Sequence, residues 1–153
     1  MRALLLSNRQ DADPGFVGER LRWHGYAFTE CHRECPADWP GLAGIDLVVS
    51  LGSEWSVYWD HVQDSVETEA AVLRTAHSSG VPILGICFGG QILSHALGGS
   101  VERAPVPEVG WCDVTSRVPQ LAGNGPWLQW HSDRFTPPPG ADRLAHSPHA
   151  EQA

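Results

Sequence analysis

The sequence predicts a three-layer α/β domain built on a mostly parallel, doubly wound sheet, and three observations predict it. Short, largely apolar runs stand at Arg2–Ser7, Ile45–Leu51 and Val81–Ile86. Such runs lack polar alternation because a parallel strand is covered on both faces. Amphipathic stretches of helical period lie between and after those runs, the alternation that gives right-handed crossovers and a parallel sheet. Glycines at Gly25, Gly80 and Gly98-Gly99 close the predicted helices, where the chain must leave the helical conformation.

The elements follow in order. Arg2 to Ser7 is a first buried strand, and Asn8 to Gly15 is a polar loop in which Pro14 suits a helix start. A short helix then places Phe16, Val17, Leu21 and His24 on one side and ends at Gly25. Tyr26 to Glu30 is a second strand, followed by a proline-rich connection, and Ile45 to Leu51 is the third. Asp60 to Ser79 is a longer helix with Val62, Val66, Ala70, Leu73 and His77 at near-helical spacing. The last third changes character. Glu108-Val-Gly-Trp111, Trp127-Leu-Gln-Trp-His131 and Pro137-Pro-Pro-Gly140 predict short antiparallel strands and loops.

Chain-wide quantities narrow the function. The 153 residues form one predicted domain, 1–153, long enough to bury a core without disulfides or metals. The net charge is −8 and no run of Lys or Arg exists, which argues against nucleic acid or an anionic membrane as partner. No stretch has the length of a membrane span, and Ala3-Leu-Leu-Leu6 is too short for a signal peptide. Four cysteines, Cys31, Cys35, Cys87 and Cys112, lack the density of a disulfide scaffold, so a reducing cytoplasm is expected. Cys31-His-Arg-Glu-Cys35 has no second pair at ligand spacing, so neither a metal nor a cofactor is expected.

The chemistry concentrates in Val81-Pro-Ile-Leu-Gly-Ile-Cys87-Phe-Gly-Gly-Gln91. An apolar strand runs into Cys87, and a helix with Phe88, Ile92, Leu93, Ala96 and Leu97 on one face begins directly behind it. That is the pattern of a nucleophile elbow. Gly85 and Gly89 remove the Cβ atoms that would collide where strand and helix pack closely, and a helix N-terminus behind the sulfur suits a thiolate. The same Gly-rich turn also occurs in dinucleotide-binding folds, and a cysteine at a strand end is often simply a small core residue.

Three blocks together resemble class I glutamine amidotransferases, in particular stand-alone members similar to the amidotransferase domain of GMP synthase. They are Asp46-Leu-Val-Val-Ser-Leu-Gly52, then Pro82 to Gln91 with its extension to Ala96-Leu-Gly-Gly99, and Trp130-His-Ser-Asp133 with Phe135, Pro138-Pro-Gly-Ala141 and Leu144-Ala145. The resemblance implies a flavodoxin-like fold and hydrolysis of the glutamine side-chain amide through a thioester on Cys87. It implies an oxyanion hole from the backbone N–H groups of Phe88 and of Gly52 or Ser53; Ser53 stands where many relatives have glycine. Gln91 and His131 are implied as contacts to glutamine, with Glu108, Gly110 and Trp111 at further positions near that site. Trp55 and Trp59 are read as surface or core packing residues rather than recognition residues.

The same resemblance puts the catalytic His-x-Glu on a strand after the block that Leu144-Ala145 opens. The pair is therefore expected beyond Ala153, with the C-terminal part of the fold incomplete relative to the family. His149-Ala-Glu151 has the spacing but lacks apolar flanks, and a second chain could also supply the pair. Ammonia would pass to a separate synthetase or acceptor enzyme. Exposed strand edges would favour self-association into a homo-oligomer. Three other readings share parts of this pattern: a γ-glutamyl peptidase, a cysteine-dependent α/β-hydrolase, and a non-catalytic fragment or pseudoenzyme that binds a partner.

Overall fold

In the computed structural model, which describes residues 1–152, four parallel strands form the central sheet. They are β1 (Arg2–Ser7), β2 (Ala27–His32), β3 (Leu47–Ser50) and β4 (Ile83–Gly85), in the order β2-β1-β3-β4. The helices are α1 (Gly15–Trp23), α2 (Gln63–Ser78) and α3 (Phe88–Ala96). This is the predicted doubly wound, flavodoxin-like arrangement, and its strand order reverses between β1 and β3. Ligands bind such sheets outside the carboxyl ends of the strands near that reversal.

The alternation of side chains along each strand explains why the apolar runs are continuous. Leu4, Leu6 and Val48 enter one core with Val66, Ala70 and Leu73 of α2 and Phe88 and Ile92 of α3. Ala3, Leu5, Leu47 and Val49 enter a second core on the opposite face, under Leu21, Tyr26 and Phe28. Both faces are covered, so neither can be polar.

Helix faces depart from the sequence expectation at specific residues. In α1, Phe16 is exposed while Leu21 packs, so the predicted apolar side is only partly used. The segment Asp60–Val62 is a turn of 3-10 helix, and α2 proper starts at Gln63. The buried stripe of α2 ends on Ala76 rather than on His77, and it also contains Glu69, a carboxylate only 1 % exposed. Charged groups are almost never buried this deeply unless paired, and its partner is described below.

The last third is antiparallel, as its turn residues predict. The strands β5 (Val101–Cys112) and β7 (Trp127–Phe135) are 12 and 9 residues long rather than short as expected, and they pair with a register shift between Arg103 and Glu108. A small three-stranded sheet joins β6 (Thr115–Ser116), β8 (Ala145–His146) and β9 (Glu151–Gln152). The β5–β7 ribbon pairs Val109 with Trp130 and Trp111 with Leu128, and all four side chains are exposed. Among the described residues no helix is long and apolar enough to cross a membrane.

Candidate active site

Strand β4 ends at Gly85, and two residues later Cys87 stands as N-cap of α3 with φ 55° and ψ −115°. It is the non-glycine residue with positive φ among the described residues. L-residues adopt that backbone only when the surroundings force it, and such strain gathers at functional sites. The forcing groups are the two glycines that bracket the cysteine. A Cβ on Gly85 would lie 2.6 Å from the Gly89 carbonyl oxygen, so β4 and the first turn of α3 touch backbone to backbone. A Cβ on Gly89 would fall 2.5 Å from the Ser50 carbonyl carbon, so α3 is also pressed onto β3. The sulfur is exposed at the apex of this turn.

The carboxyl end of the neighbouring strand meets it. A Cβ on Gly52 would be 3.5 Å from Cys87 Cβ and 3.9 Å from its Sγ, which places the turn after β3 in direct contact with the elbow. The N–H groups of Gly52, Ser53 and Phe88 have no acceptor among the described residues. Three unpaired donors thus lie on the two segments that meet at the exposed cysteine. Two come from the turn after β3, and the third is the first N–H of a helix, left free by helix geometry.

Cys87 opens on a cleft of about 1210 Å³ whose walls include Ser53, Trp55, Gln91, Trp130 and His131. Trp59 also borders it; Trp55 packs against the main core as well, whereas Trp59 is exposed. Gln91 is 6 % exposed and its amide has no partner among the described residues, so it is a wall of the cleft rather than a solvated helix residue.

His131 is brought to the same cleft, held by its scaffold. Its Nδ1 lies 3.0 Å from the Asp133 carbonyl oxygen, and its Nε2 lies 3.1 Å from Glu108 Oε2, off-line for a hydrogen bond. Glu108 is 3 % exposed and accepts a 2.6 Å hydrogen bond from the Ser147 hydroxyl. Glu108 therefore sits behind the cleft wall, and Trp111 points to solvent. Val109 and Leu128 take the places on the wall that Gly110 and Trp111 were expected to hold.

Asp133 fastens the cleft together. It is 8 % exposed and accepts hydrogen bonds from Ser56 Oγ at 2.6 Å and Tyr58 Oη at 2.8 Å, tying the loop after β3 to β7. Desolvation pushes the Tyr58 phenol above its usual range. A hydrogen bond with Ser56 works against that rise, and the Asp133 carboxylate adds to it.

Other sequence-singled residues lie elsewhere. His149 is exposed and lines a neighbouring depression with Arg134 and Glu102; the side chain of Glu151 falls outside the described residues. Cys31 is buried in the main core, and Cys35 accepts a hydrogen bond from Arg9 at 3.1 Å.

The family model for glutamine amidotransferase class-I matches residues 59–152, more than half of the chain and including the whole elbow. The chain belongs to this glutamine amidotransferase family. The amidotransferase chain is 35 % identical over 115 residues to a GMP synthase [glutamine-hydrolyzing] of Aeropyrum pernix, covering 71 % of this chain and 20 % of that protein. It thus spans about a fifth of the length of that curated relative. A glutamine amidotransferase from Thermotoga maritima superposes with a TM-score of 0.83 at 26 % identity, over 99 % of this chain and 69 % of that one. A glutamine amido transferase from Methylobacillus flagellatus gives a TM-score of 0.85 at 25 % identity, over 98 % and 63 %.

Proposed function

We propose that this chain carries a glutaminase-type half-reaction in which Cys87 attacks the side-chain amide of glutamine. The observation that carries the reading is an exposed cysteine at a strained elbow, with Gly52 packed against it and the N–H groups of Gly52, Ser53 and Phe88 unpaired among the described residues. The sulfur forms a bond to the amide carbon, and the carbonyl electron pair moves onto oxygen, where those N–H groups stabilise it. Donors of this kind are worth about 3 kcal/mol each when they meet charge that develops only in the transition state. The carbon–nitrogen bond then breaks, the nitrogen leaves as ammonia with the proton that the Cys87 thiol gave up, and a γ-glutamyl thioester remains. Water cleaves the thioester to glutamate and frees Cys87.

Gln91 is the cleft group suited to hold the substrate's polar end, because it borders the cleft and its amide has no partner among the described residues. With both ring nitrogens turned toward oxygens of the scaffold, His131 serves as wall rather than as proton carrier. GMP synthases are among the curated relatives, which supports ammonia being handed on to a synthetase-type acceptor. The four free cysteines support a reducing, cytoplasmic setting.

Ammonia release from glutamine tests the reading directly. Cys87→Ala should reduce it to background and His149→Ala should leave it unchanged. Equal rates in wild type and Cys87→Ala would refute the assignment. Faster turnover of a γ-glutamyl dipeptide than of glutamine would move it to a peptidase.

A further inference from the structure

Behind the elbow lies a charged group that the reaction chemistry does not use. Arg33, directly after β2, is 1 % exposed, as is Glu69 on α2. The guanidinium donates to Glu69 through Nε at 2.7 Å and Nη2 at 3.2 Å. Its remaining donors reach Asn8 Oδ1 at 3.1 Å, Ser50 Oγ at 3.1 Å, the Leu51 carbonyl at 3.0 Å and the Gly52 carbonyl at 3.2 Å. Ser50 in turn donates to Glu69 at 2.6 Å. The guanidinium carbon also stands 4.6 Å from the centre of the Phe88 ring.

The carbonyls that Arg33 holds are those of consecutive residues in the turn beside Cys87. In a planar trans peptide, the N–H points opposite to the C=O of the same unit. Drawing the Leu51 oxygen inward therefore turns the Gly52 N–H outward, and drawing the Gly52 oxygen inward does the same for Ser53. These are two of the unpaired donors near the sulfur, and Phe88, which carries the third, stacks on the same cation. Resting on the reading of Cys87 given above, we infer that Arg33, fixed by Glu69 and Ser50, is a positioning residue. It aims the oxyanion donors of β3 and α3 at one point beside the nucleophile. A lysine could not replace it, since an ammonium lacks the planar fork that spans a carboxylate and two carbonyls at once.

The test uses Glu69→Gln and Arg33→Lys, with Ser50→Ala as the variant least disruptive to folding and Glu67→Gln, an exposed position on α2, as control. Oxyanion donors act in the transition state, so kcat for glutamine should fall roughly tenfold to hundredfold while KM changes little. Alkylation of Cys87 by iodoacetamide needs no oxyanion hole, so its rate should stay within about twofold of wild type. A crystal structure of Glu69→Gln should show the Leu51–Gly52 and Gly52–Ser53 peptides turned. Wild-type kcat with an unmoved turn in folded Glu69→Gln and Ser50→Ala would overturn the inference. If the wild-type protein releases no ammonia, the glutamine reading fails by itself. The turn geometry in the Glu69→Gln crystal then still decides the positioning role, turned peptides supporting it and unmoved ones overturning it.

Discussion

Gly89 and Gly90 are adjacent in sequence and opposite in consequence. A methyl group on Gly89 would come within 2.5 Å of the Ser50 carbonyl carbon, closer still to its oxygen, and 2.7 Å from the Ser50 hydroxyl. Ordinary contact begins near 3.4 Å, so α3 must retreat from β3 by more than about 0.9 Å before an alanine fits. That retreat carries the Phe88 N–H and Cys87 with it, and a misplacement of about 1 Å at a reacting centre costs on the order of a hundredfold in rate. Overpacking itself costs about 1–3 kcal/mol. A methyl on Gly90, by contrast, meets nothing nearer than the Gly85 oxygen at 3.7 Å and Phe135 at 3.9 Å. Gly90→Ala should therefore fold normally and gain up to about 1 kcal/mol from helix propensity. Thermal melts and ammonia-release kinetics on both variants make the comparison. Gly89→Ala with wild-type melting temperature and kcat would refute the close-packing argument, as would equal losses in the two variants.

Two other outcomes follow from the same geometry. Asp133→Asn keeps the shape but weakens the carboxylate's bonds to Ser56 and Tyr58. It should cost about 1–2 kcal/mol in a denaturant titration and raise KM for glutamine as the loop wall loosens. Burial first and the nearby Glu69 charge second push the Cys31 thiol up to about 11 from an ordinary 9.0. The folded state thus favours the neutral thiol, and that stability is complete below pH 9.0 and lost as pH rises toward about 11. Stability against pH should show that decline in wild type and lose this component in Cys31→Ala, while a thiol reagent near neutral pH should label Cys87 and spare Cys31.

The sheet and the elbow were legible because each has a local signature. Uninterrupted apolar runs mark buried parallel strands, and glycines at fixed distance from Cys87 mark a close strand–helix contact. The β5–β7 ribbon was legible in type from its turn residues, although its register shift was not, because the irregularity depends on what the strands pack against. Arg33, Ser50 and Glu69 escaped notice since each is ordinary alone, and only the fold brings β2, β3 and α2 to one point. A clue did exist. Glu69 falls on the apolar stripe of α2 between Val66 and Leu73, and a carboxylate in such a place requires a buried cation. Asp133 was visible within the Trp130-His-Ser-Asp133 block, yet its partners Ser56 and Tyr58 lie 77 and 75 residues away, beyond any pattern in the sequence. The exposed face of Trp111, Trp130, Val109 and Leu128 was foreshadowed only as a general expectation of apolar surface.

The most direct test of Cys87 as the nucleophile toward the glutamine side chain is covalent capture. The protein is incubated with a diazoketone analogue of glutamine, and the adduct is mapped by peptide mass spectrometry. The account predicts a single adduct on the peptide that holds Cys87, slowed by competing glutamine and absent from Cys87→Ala. An adduct on Cys35 or Cys112, or labelling indifferent to glutamine, would contradict it.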